Sequence, residues 1–75
     1  MIHWSVTPDS GARIYYGPHL MLTAQKGYEL IALARQCLEG RLILPAQEPI
    51  EVTCHASLLR LASDLADVAA QKVDS

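Results

Sequence analysis

Between Ala56 and Lys72 the chain reads as a helix with far more apolar surface than an ordinary surface helix carries. At helical spacing, Leu58, Leu59, Leu61, Ala62, Leu65, Ala66, Val68, Ala69, Ala70 and Val73 spread over about 200°. Arg60, Ser63, Asp64, Asp67, Gln71 and Asp74 share a polar arc of about 100°, and Thr53 or Ser57 supplies a cap. A surface helix needs an apolar stripe only a little over about 100° wide. Something must therefore cover the surplus. One solution is a second copy or another partner, docked on the heptad-like series Leu58, Leu61, Leu65 and Val68. Each leucine buried there contributes about 1.5–3 kcal/mol, against the roughly 3–5 kcal/mol a very small core supplies alone. The other solution makes this helix the central element, packed between a sheet and a neighbouring helix. Its alanines permit that close approach. The first solution is the one expected.

Length sharpens the problem. Seventy-five residues make a single small α+β domain, 1–75. A body of this size buries only about 60% of the surface its unfolded chain exposes, so a staple or a partner matters. Hydrophobic residues reach 51% and charged residues only 19%, which argues against disorder. The net charge is −2 and the lysines and arginines are scattered, so nucleic-acid binding is unfavoured. The N-terminus shows no charged segment followed by an apolar one, as a secretory signal would. No apolar run approaches the roughly 18 residues of a membrane span. A cytoplasmic setting is expected, with Cys37 and Cys54 as free thiols.

The rest of the chain sets the fold. Residues 2–7 alternate, with Ile2, Trp4 and Val6 on one face and His3, Ser5 and Thr7 on the other. Thr7-Pro8-Asp9-Ser10-Gly11 has turn chemistry, and residues 12–16 form the returning strand of an N-terminal β-hairpin. Gly17-Pro18 ends it, and residues 19–22 either extend the sheet or lead into a helix. Thr23 is a candidate N-cap for a helix over 24–39. Gly27, Leu30, Ile31, Leu33, Ala34, Cys37 and Leu38 form its apolar arc, and Gly40 closes it. Pro45 and Pro49 disfavour a long strand, so a short third strand near 50–53, or an extended segment, precedes the C-terminal helix. The fold class is α+β: a small antiparallel sheet with both helices on one face.

No recognisable chemistry emerges. His3, His19, Cys37 and His55 show no paired zinc-ligand spacing, and Cys54-His55 are adjacent, so no metal site is expected. Asp64 and Asp67 fall on a solvated arc with Arg60 nearby. Phosphate-loop, dinucleotide and HExxH motifs are absent, and no catalytic residue or cofactor is assigned. The expected function is a non-enzymatic protein-interaction module of adaptor, regulator or inhibitor type, self-associating through the C-terminal helix. Tyr15, Arg13 and Tyr28 are further interface candidates, since Tyr, Trp and Arg dominate interface hot spots. The alternatives are nucleic-acid binding through the sheet face bearing His3, Ser5, Thr7, Arg13 and Tyr15, and a small enzyme or metal protein.

Overall fold

The computed structural model describes residues 1–72, so Val73 and Asp74 lie outside the described residues. Three strands form the N-terminal sheet: β1 (Ile2–Thr7), β2 (Gly11–Tyr16) and β3 (His19–Ala24). They are antiparallel in the order β1-β2-β3. Ile2 faces Tyr16, Trp4 faces Ile14 and Val6 faces Ala12, as the alternation of residues 2–7 requires. β3 resolves the ambiguous segment in favour of strand. Its register to β2 shifts between Ile14 and Tyr15: Ile14 faces Leu22 but Tyr15 faces Leu20. Met21 is thus an extra residue, a bulge that lets both Met21 and Leu22 pack against the core.

Gly11 explains why the first hairpin turns where it does. Its φ is +71°, and a β-carbon there would stand 2.2 Å from the Ala24 carbonyl oxygen and 2.9 Å from the Gln25 α-carbon. The end of β3 crosses directly over this position, so only hydrogen fits.

Helix α1 spans Gly27–Leu38. Thr23 is not its cap, because β3 continues through Ala24. The Glu29 carboxylate instead reaches back to accept from the Lys26 amide at 2.9 Å and the Gln25 amide at 3.2 Å. Those bonds, the Lys26 amide first, hold the Glu29 carboxyl below its usual pKa. At the other end Gly40 takes φ +83°, its amide bonds to Cys37 O, and the Arg41 amide bonds to Gln36 O. That is the glycine-terminated turn its position indicated.

A second, two-stranded sheet follows. β4 (Leu42–Leu44) pairs antiparallel with β5 (Ile50–Val52), Leu42 facing Val52 and Leu44 facing Ile50. The expected third strand at 50–53 therefore exists, but its partner is the Leu-Ile-Leu run and not the N-terminal hairpin. Leu42 and Leu44 are fully buried with Ile43 exposed between them, so a three-residue strand secures two core side chains. Helix α2 (His55–Gln71) closes the chain. The His55 ring lies against Gly40, which brings the start of α2 to the end of α1 and makes the two helices antiparallel.

The core is one cluster. Ala12, Ile14 and Ala24 come from the first sheet, Leu42, Leu44 and Val52 from the second, and the remainder from the two helices. α2 is its centre. Leu58, Leu61 and Leu65 are fully buried and Val68 is 5% exposed, all within one chain. The self-association surface expected on these four residues is corrected accordingly. The chain's own sheets and α1 cover them, so they have no area left to offer a partner. The apolar arc divides instead into a buried side and a flank, and Leu59, Ala66 and Ala70 remain exposed on that flank.

Candidate interaction surfaces

With α2's leucines consumed by the core, the surfaces available for recognition lie elsewhere. The first is the outer stripe of α1. Tyr28 is 73% exposed, Leu38 is 65% exposed, and Ile31 is exposed between them. Their spacing, 28, 31, 35 and 38, is heptad-like, with exposed Arg35 at the fourth position. Leu30, Leu33, Ala34 and Cys37 supply the buried face of the same helix. Leu59 of α2 is a further exposed leucine, at 53%.

The second surface is the solvent face of the first sheet. His3 and Tyr15 are cross-strand partners, and their rings stack with centroids 5.0 Å apart and planes 3° apart. His3 Nε2 is also 2.8 Å from Gly17 O, which ties the ring to the β2–β3 turn. Tyr15 is only half-exposed, since His3 lies beside it on β1 and Leu20 opposite on β3. Arg13 is exposed one row further, between Ser5 and Thr23. Tyr15 and Arg13 therefore share one face, while Tyr28 sits apart on α1.

The third surface is the open edge of β1. A groove of about 350 Å³ runs beside it, lined by Ile2, His3, Trp4, Ser57, Arg60 and Asp64. A second groove of about 480 Å³ continues past Ile2 and Ser57 to Met1, Tyr16, Thr53 and Cys54. The Trp4 indole N–H donates to Asp64 Oδ2 at 2.7 Å, fastening β1 to α2. Asp64 thus has a definite structural partner, which its place on the polar arc did not reveal.

The two cysteines differ sharply. Cys37 is buried, and loss of hydration pushes its thiol up to about 11. Cys54 is exposed just ahead of α2 and makes no capping hydrogen bond of its own. The Ser57 hydroxyl first, and the Ser57 amide second, nonetheless bias its thiol toward the thiolate. Iodoacetamide at neutral pH is accordingly expected to label Cys54 alone in the native protein. Labelling of Cys37 at a comparable rate, read by peptide mass spectrometry, would contradict the burial.

Among the described residues no three His, Cys, Asp or Glu side chains gather as a metal site. No helix among them is long and apolar enough to cross a membrane. Comparison of the chain with protein-family models, with curated proteins and with solved structures found no match.

Proposed function

We propose that the chain is a small non-enzymatic protein-interaction module whose main contact surface is the outer stripe of α1. The observation that carries this reading is that Tyr28, Ile31 and Leu38 stay exposed at heptad-like spacing while the core closes without them. A partner docked along this stripe would remove the apolar surface of Tyr28, Ile31 and Leu38 from water. Tyr28 and Arg35 are residue types that concentrate binding energy at interface centres. The partner that fits presents an apolar helix with a carboxylate opposite Arg35. Two thiols without a disulfide suit a reducing, cytoplasmic setting for this contact.

The test compares wild type with Tyr28→Asp and Leu38→Asp. Both sites are mostly exposed, so each variant is expected to stay within about 0.5 kcal/mol of wild-type stability. Stoichiometric co-purification of a host protein, identified by mass spectrometry, is expected for wild type and lost in both variants. Capture that survives both substitutions would overturn the reading.

Nucleic-acid binding is the second reading. It draws on exposed Arg13 beside the stacked His3–Tyr15 pair, a small sheet platform of a kind that accepts bases. Fluorescence polarisation with single-stranded oligonucleotides at low salt tests it. Arg13→Ala should abolish any signal, and no signal in wild type removes this reading.

A further inference from the structure

The two outer strands of the first sheet are not alike. β3 carries a bulge, one of the devices that keep a sheet edge from pairing with another chain. β1 has none. Its residues, Ile-His-Trp-Ser-Val-Thr, include no lysine, arginine, carboxylate, proline or glycine, and its register to β2 is unbroken over all six residues.

The direction of its free hydrogen-bonding groups follows from one contact. The Gly17 amide donates to Met1 O at 2.9 Å, so Met1 and Gly17 form a hydrogen-bonded pair. In an antiparallel ladder such pairs alternate with non-bonded ones. His3, Ser5 and Thr7 therefore turn their amides and carbonyls toward β2. Ile2, Trp4 and Val6 turn theirs outward, along the groove that separates β1 from Ser57, Arg60 and Asp64. No partner for these outward groups exists among the described residues.

From this we infer that β1 is the pairing edge for a second copy of the same chain, joined antiparallel about a two-fold axis at Trp4. This does not rest on the α1 stripe. The phase is self-complementary: Trp4 meets its own counterpart, and Ile2 meets Val6 of the second copy, all of them residues with outward-facing groups. On the solvent face His3 comes opposite Ser5 of the second copy. On the inner face half-exposed Ile2 and Val6 gain cover from each other. The charges agree with the same axis. Ile2 neighbours Ser57 and Trp4 holds Asp64, so α2 runs alongside β1 in the same direction. The two-fold sets α2 antiparallel to its counterpart; Asp64, held at Trp4, lies nearest the axis, and Arg60 of each copy comes opposite Asp67 of the other. Arg60 has no ion-pair partner among the described residues of its own chain.

Backbone hydrogen exchange on the full chain, followed residue by residue at micromolar and millimolar concentration, tests this. The amides of Ile2, Trp4 and Val6 are expected to gain protection as concentration rises, while those of His3 and Ser5 are protected throughout. Sedimentation should give twice the 8.2 kDa chain mass at millimolar concentration. Arg60→Glu, an exposed substitution, should weaken the dimer about tenfold, and Leu38→Asp should leave it unchanged. A monomer at millimolar concentration would overturn the proposal. So would a dimer in which the amides of Ile2, Trp4 and Val6 exchange as fast as in dilute solution. Retained dimerisation with lost partner capture, or the reverse, separates this proposal from the α1 reading.

Discussion

Leu65→Asp is expected to leave the chain unfolded at room temperature. Leu65 is fully buried at the middle of α2, within the single core cluster. The substitution removes a leucine whose burial contributes about 1.5–3 kcal/mol. It also places a carboxyl where neither water nor a cation reaches it, which costs several kcal/mol more even if the group takes up a proton. The total exceeds the roughly 3–5 kcal/mol available to a core of this size. Far-UV circular dichroism should show the helical signal lost. Leu59→Asp is the matched control: it stands on the same helix, 53% exposed, and should stay folded. A Leu65→Asp protein that folded normally but failed to self-associate would mean that α2's leucines form an interface after all.

Gly11→Ala has the next largest expected effect, a loss of about 3 kcal/mol read from the denaturant midpoint. Positive φ contributes part of the cost. The larger part is the collision, because the new methyl group meets backbone atoms of Ala24 and Gln25 that cannot move without dragging β3. Gly40→Ala makes the comparison. It carries the same φ penalty, but its methyl group would meet the His55 ring at 2.8 Å, and an exposed side chain can swing aside. Gly40→Ala should therefore cost about 1–2 kcal/mol. Equal losses at the two sites would mean that backbone conformation, and not the crossing of β3, sets the requirement at Gly11.

Local patterns in the sequence were enough for the elements with a clear period. The alternation over residues 2–7, the buried positions Leu30, Leu33, Ala34 and Cys37 of α1 and the glycine at its end all appear where spacing puts them. The third strand was less legible because its bulge breaks the two-residue period at Met21, where His-Leu-Met-Leu suits a strand or a helix start equally. The pairing of β4 with β5 was hidden for another reason. Prolines at 45 and 49 argue against a long strand, yet they bracket a loop between two strands only three residues long.

The burial of Leu58, Leu61, Leu65 and Val68 within the chain is not legible in the sequence, because composition along one helix cannot say which neighbours cover it. Taken alone, the width of α2's apolar arc reads as a surplus for a partner. Two sheets and an antiparallel α1 surround that arc, and this arrangement is a tertiary fact. Tyr28 was identifiable as a marginal residue of α1's arc. Ile31 and Leu38 share α1's apolar arc by spacing, yet both stand exposed, because the face that meets the core is narrower than that arc. The bond from Trp4 to Asp64 joins residues 60 apart in sequence, and no local signal announces it.

One measurement bears most directly on a core closed within a single chain. In a mixture of isotopically labelled and unlabelled protein, filtered nuclear Overhauser spectra report only contacts between copies. The methyl groups of Leu58, Leu61, Leu65 and Val68 are expected to give strong contacts in the ordinary spectrum and none in the filtered one. Intermolecular contacts from Leu61 or Leu65 would contradict it.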